Sequence, residues 1–174
     1  MGARHLAEDC GVSADIEIAF KLNGCRHALA VPAELRLIDL LRDHFGMTAA
    51  KKACGIGRCG ACSVLMDNRA VNGCLLMSWQ LDGATVITPE GFDELPEAVV
   101  LREALAAENA FQCGYCAPGF TVALTALLLE KPAPGEAEIR AALEGNICRC
   151  TGYHSIVRGA LAAVQALGRE RLTA

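Results

Sequence analysis

Eight of the ten cysteines fall into two dense sets, Cys54, Cys59, Cys62 and Cys74, then Cys113, Cys116, Cys148 and Cys150. The first set reads C-x4-C-x2-C with a fourth cysteine after eleven intervening residues, the spacing of a plant-type [2Fe–2S] site. Three of its cysteines share one loop with Gly55, Gly57 and Gly60, which permit positive φ and let backbone N–H groups approach sulfur. Such groups stabilise an anionic cluster and help set its potential, roughly −400 mV at plant-type sites. Zinc also accepts four thiolates, but its sites usually present two compact C-x2–4-C knuckles rather than one glycine-rich loop. The second set, C-x2-C and a distant C-x-C, is less diagnostic, and on spacing alone zinc and iron–sulfur stand equal there. His5, His27, His44 and His154 are scattered and none replaces a ligand cysteine, which argues against Rieske ligation. Two sets of four thiolates in so short a chain point to a relay for single electrons.

Composition narrows the setting. The chain has 174 residues, a formal net charge of −4 and no block of Lys or Arg, so a nucleic-acid or membrane-surface role gains no support. Met1 to His5, followed by Glu8, Asp9 and Asp15, lacks the apolar core of a signal peptide, and a cytoplasmic location is expected. The apolar run from Phe120 to Leu129 contains Thr121 and Thr125 and is about half of the ~20 residues needed to span a bilayer. In such a compartment dense cysteines mean metal or redox chemistry rather than disulfides. Cys148 and Cys150 in particular make poor partners for each other but good ligands to one centre.

The elements that must position these thiols are legible in outline. Ala14 to Phe20 alternates apolar and polar residues as a half-buried strand, Asn23-Gly24 signals a hairpin, and Arg26 to Val31 supplies the return strand. Leu35, Ile38 and Leu41 sit at helical spacing, with Leu37, Leu40 and Phe45 widening the face and Gly46 placed to end the helix. Ser63 to Met66, a turn at Asp67-Asn68, Arg69 to Val71, and Ala84 to Thr88 add strands, giving a small mixed sheet on one helix with the cysteine loop over one edge. Pro89 to Pro96, with two prolines, one glycine and three acids, reads as a boundary. Beyond it the pattern turns helical: Val99 to Leu105, Val122 to Leu128, Glu136 to Leu143 after the break at Lys131-Pro132-Ala133-Pro134-Gly135, and Ile156 to Leu167. This predicts a four-helix bundle with Cys113 and Cys116 at the start of its second helix and Cys148 and Cys150 between the third and fourth. Cys10 and Cys25 fall outside both sets and read as incidental thiols, Lys51-Lys52 as an exposed helix-end pair, and Trp79 as a packing residue.

Four segments carry a resemblance: Cys54-Gly55-Ile56-Gly57-Arg58-Cys59-Gly60-Ala61-Cys62, Asn72-Gly73-Cys74, Gln112-Cys113-Gly114-Tyr115-Cys116-Ala117-Pro118-Gly119, and Gly145-Asn146-Ile147-Cys148-Arg149-Cys150-Thr151-Gly152-Tyr153. In this order, and from about Ile16 to Leu167, the chain strongly resembles the small iron–sulfur subunit of molybdenum hydroxylases of the xanthine dehydrogenase family. The resemblance implies an α+β protein: a plant-type ferredoxin (β-grasp) domain over residues 14–89, then a four-helix domain over 96–168 that holds a second [2Fe–2S] cluster. It also implies partners, a large molybdenum-pterin subunit and a medium FAD subunit, usually in a dimer of heterotrimers. Electrons would pass singly from the pterin cofactor to the cluster of Cys113, Cys116, Cys148 and Cys150, then to that of Cys54, Cys59, Cys62 and Cys74, then to FAD. The chain would thus be the electron-transfer subunit of an oxidoreductase with no substrate-converting site of its own. The substrate of the complex would be a purine or other N-heteroaromatic.

By the same resemblance Gln112 contacts the pterin cofactor and Cys148 sits nearest to it; a plain polar residue at a helix N-terminus is the lesser alternative for Gln112. Arg149 either offsets cluster charge or is an ordinary solvated arginine. Ile56 and Arg58 stand where many family members carry Glu and Gln, so the rim of the first site is less acidic. Two other readings compete, a free-standing two-cluster carrier and a zinc-stabilised interaction module. The modest net charge speaks against the first and the glycine-rich loop against the second.

Overall fold

Alternation sets the first hairpin. In the computed structural model, which describes residues 15–173, β1 (Asp15–Leu22) pairs antiparallel with β2 (Cys25–Pro32) from Asp15 opposite Pro32 to Leu22 opposite Cys25. Ile18, Phe20 and Leu22 point inward, while Asn23 and Gly24 take positive φ (48° and 81°) in the tight turn between the strands. Cys25 is exposed beside that turn, and Cys10 and Ala14 lie outside the described residues.

The next segment departs from a plain α-helix. A single turn, α1 (Leu37–Asp39), runs on as a π-helical turn over Leu40–His44 before Gly46, at φ +66°, ends it. The wider turn sets Phe45 edge-on to His27 (4.9 Å between ring centres) and Phe20 (6.2 Å). Then β3 (Ser63–Met66) and β4 (Arg69–Asn72) form a second hairpin, and β5 (Thr85–Ile87) lies between β1, to which it is parallel, and β3, to which it is antiparallel. The sheet order is β2-β1-β5-β3-β4.

β3 is buried on both faces, and its alternation decides what each face meets. Val64 joins Leu37, Ile38, Leu40 and Leu41 under the sheet, whereas Leu65 packs with Phe92, Ala98 and Val122 on the helical side. Phe92 belongs to the segment read as a boundary. That stretch is a 3₁₀ helix, Pro89–Glu94, whose aromatic ring is fully buried, so it is pinned rather than loose.

Four helices follow: α2 (Pro96–Ala107), α3 (Ala117–Glu130), α4 (Glu136–Ala142) and α5 (His154–Thr173). They close a ring of neighbours, α2 on α3, α3 on α4, α4 on α5 and α5 back on α2, as expected for a bundle. Apolar on nearly every side, α3 is the central element, with helices on one flank and β3 and β4 on the other. Among the described residues no helix is long and apolar enough to cross a membrane.

Candidate metal centres

The loop of the first set is held from behind by side chains. Asn72 Nδ2 donates to Gly57 O (3.2 Å), Ser63 Oγ donates to Gly60 O (2.8 Å), and the Arg36 guanidinium donates to Gly55 O (3.3 Å). With its carbonyls fixed, the loop turns N–H groups toward sulfur: Gly57 donates to Cys74 Sγ (3.2 Å) and Arg58 to Cys54 Sγ (3.3 Å). Gly57 has φ +75°, and a Cβ there would lie 2.4 Å from Leu75 Cδ1, so the turn requires glycine. Cys62 and Cys74 are only 3% exposed, while Cys54 lies at the surface.

In the second set, Cys113 and Cys116 flank Gly114 (φ +77°) just before α3, and Cys148 and Cys150 lie between α4 and α5. The thiols meet across the gap as well as within their local motifs. Cys113 Sγ stands 3.7 Å from Cys150 Sγ, and Cys116 lies close enough to Cys148 for each to perturb the other's charge. In the first set Cys54 feels Cys59, and Cys62 feels both Cys74 and Cys59.

Tyr153, half-buried at φ +70° and packed on Phe120, clamps the second loop. Its hydroxyl donates to Asn146 O (3.0 Å) and accepts the Cys148 N–H (3.0 Å). Thr151 adds its hydroxyl to Cys148 Sγ at 3.1 Å. The two loops also meet directly, since Ile147 N–H donates to Cys59 O (3.0 Å) and Tyr115 Oη donates to Lys52 O (2.9 Å).

Local environment separates the thiols. Backbone N–H donation from Ile56, followed by the contact with Cys59, lowers Cys54 to about 6. Burial pushes Cys62 and Cys116 up to about 12. For Cys148, burial pulls upward but the Thr151 hydroxyl and nearby N–H groups more than offset it, so the net shift is down; Cys113 pushes Cys150 up. Because the thiolate is the nucleophile, iodoacetamide applied to the metal-free chain at pH 7 should label Cys54 first and Cys62 and Cys116 last. The Cys54 rate should fall as pH drops through about 6. Peptide mass spectrometry reads the order, and equal labelling of Cys54 and Cys62 would contradict it.

These residues fit [2Fe–2S] cores. Such a core takes four thiolates, and here each set gathers four cysteines, with backbone N–H groups aimed at sulfur in the first and the Thr151 hydroxyl beside sulfur in the second. All four first-set and all four second-set cysteines named from the sequence are thus brought together by set. Gln112 is exposed beside Cys113, Arg149 is exposed, and Lys52 is paired with Asp39 (2.6 Å) rather than standing at a helix end. Trp79 is 59% exposed, which corrects its reading as a packing residue. The sequence alone assigns no role to Asn72, Asn146, Thr151 or Tyr153; their lying inside the cysteine motifs was the one available signal.

Thiol-paired loops on an α+β scaffold define an iron–sulfur protein, and a domain family described as "[2Fe-2S] binding domain" matches residues 88–161. The chain is 45% identical over 139 residues to a probable xanthine dehydrogenase subunit of Bacillus subtilis, covering 80% of each. To "Nicotinate dehydrogenase small FeS subunit" of Eubacterium barkeri it is 41% identical, covering 84% of this chain and 95% of that one. Among solved structures, quinoline 2-oxidoreductase from Pseudomonas putida 86 superposes with a TM-score of 0.82 at 33% identity, over 90% of this chain and 98% of that one. The chain belongs to the family of small iron–sulfur subunits of xanthine dehydrogenase-type molybdenum hydroxylases, and its role is that of an oxidoreductase subunit in electron transfer.

Proposed function

We propose that the chain carries two [2Fe–2S] clusters in two domains, one on Cys54, Cys59, Cys62 and Cys74 within residues 14–89, the other on Cys113, Cys116, Cys148 and Cys150 within 96–168. In this reading the second set receives electrons from a molybdenum-pterin subunit, with Gln112 on the pterin side, and the first hands them to FAD on another subunit. When bound, each cluster supplies a one-electron couple with little change of geometry. The chain's own residues do the rest. Gly57 and Arg58 aim N–H groups at sulfur, Tyr153 fixes the Cys148 backbone, and burial of Cys62 and Cys74 keeps water from the inner side.

The observation that carries this reading is the hydrogen bond from Ile147 N–H to Cys59 O. It joins a cysteine of one set to the residue beside a cysteine of the other, a short and almost wholly covalent route between the sets. The partner subunits, in a dimer of heterotrimers, and the cytoplasmic setting rest on the family and on the reducing environment that free thiols need. A purine or other N-heteroaromatic is the substrate class that the relatives' names, xanthine, nicotinate and quinoline, support.

Iron and acid-labile sulfide analysis of the chain with its co-purifying subunits, with EPR after dithionite reduction, tests the proposal. Four irons, four sulfides and two S = 1/2 signals are expected per chain. Two irons with one signal and one zinc would overturn the second cluster.

A further inference from the structure

We propose that the Thr151 hydroxyl sets the reduction potential of the second-set cluster, as a dedicated hydrogen-bond donor to Cys148 Sγ. The inference rests on the two-cluster reading above. The contacts around that hydroxyl carry it. Thr151 Oγ1 lies 3.1 Å from Cys148 Sγ. Tyr153 N–H donates to the same oxygen (3.3 Å), which occupies a lone pair and turns the hydroxyl proton away from Tyr153. The Tyr153 ring in turn is locked against Phe120, and its own hydroxyl spans Cys148 N and Asn146 O.

Direction follows from chemistry. A sulfur bound to iron is a thiolate and has no proton to give, so the hydroxyl must be the donor and the sulfur the acceptor. A donor on a ligand sulfur stabilises the more negative, reduced state more than the oxidised one and raises the potential. The first set draws its donors from the loop backbone at Gly57 and Arg58, which substitution of a side chain leaves in place. At the second set one side chain can be changed without moving a ligand. Reduction adds one electron to an Fe(III)–Fe(III) pair, supplied by dithionite in the test, and breaks no bond; the proton stays on Thr151.

The test is an EPR-monitored redox titration of the complex with its co-purifying subunits, for wild type, T151V and T151S. In T151V one of the two midpoint potentials should fall, by about tenfold in the reduction equilibrium, which is 59 mV for a one-electron couple. The other should stay, and T151S should restore the wild-type value. If the valine crowds the turn and iron is lost, T151A carries the same expectation and the same overturning result. A four-iron variant with both potentials unchanged, or with both shifted equally, overturns the inference. A wild type with a single signal would instead overturn the two-cluster reading, so the two failures are distinct.

Discussion

Gly119→Ala should prevent the two cysteine loops from seating on one another and should remove a large fraction of the protein's stability margin. Gly119 is buried in the first turn of α3, directly behind the C-x2-C segment. A Cβ there would lie 2.1 Å from Gly60 O, 2.9 Å from Gly60 C and 3.2 Å from Ala61 Cα. All three atoms are backbone, so no rotamer change relieves the contact, and either α3 or the loop carrying Cys59 and Cys62 must move. Overpacking that side chains can absorb costs roughly 1–3 kcal/mol, and a backbone clash belongs at or above the top of that range. Against a total stability of about 5–15 kcal/mol this is a large fraction. Gly168→Ala is the matched control. Nothing lies within 4 Å of its Cβ position, and losing glycine from the interior of α5 should stabilise by about 0.5–1 kcal/mol. Thermal midpoint and iron content of the purified complex read both variants. If Gly119→Ala melts with the wild type and keeps its iron, the close approach of α3 to the loop is not what positions the two sets.

Much of this scaffold was visible in the sequence because it is written in local patterns. Asn23-Gly24 between alternating segments identifies the first hairpin, and Pro96 and the Pro-Ala-Pro-Gly break delimit helices that the structure contains. The π-helical turn at Leu40–His44 was not visible, since over five residues a spacing of 3.6 cannot be told from a wider one. Phe92 shows a second limit. Its neighbours Pro89, Gly91 and Asp93 announce a turn, but no local signal says that the ring fills the gap between Leu65 and Val122. Trp79 fails in the opposite sense, because size and apolarity favour burial without assigning a face. At the sites, spacing singled out the first four cysteines as candidate ligands, and the resemblance added the second four. That Cys113 Sγ comes within 3.7 Å of Cys150 Sγ is a property of the fold, which brings the start of α3 to the α4–α5 connection.

The segment from Gly145 to Tyr153 matters beyond its two cysteines. Asn146 is 6% exposed, with Nδ2 unpartnered among the described residues and packed where a Cβ on Gly60 would be, at 2.4 Å. Ile147 reaches Cys59, Thr151 reaches Cys148 Sγ, and Tyr153 ties Asn146 and Cys148 together. One short connection therefore touches both sets, so a defect in it should be felt at the contact between them.

Tyr153→Phe should expose that dependence. The ring keeps its place against Phe120, since the change removes one oxygen and leaves the 5.7 Å ring contact intact. What is lost is the acceptor for Cys148 N–H and the donor to Asn146 O. Leaving a buried polar group unsatisfied costs about 1–3 kcal/mol, and with two groups affected a net loss of about 2 kcal/mol is expected. That is roughly thirtyfold in the equilibrium between seated and open loop. The bundle core of Leu101, Leu105, Phe120, Leu124 and Ile156 is untouched, so global melting should shift little while the loop opens more often. A chelator should therefore strip two of the four irons many times faster than in wild type, with the other two leaving at the wild-type rate. The contrast with Thr151 is sharp, because T151V should change a potential with no change in retention. Iron release at the wild-type rate from Tyr153→Phe would show that the hydroxyl is not what seats the Cys148 loop, and the positive φ of Tyr153 and its ring packing would have to hold it alone.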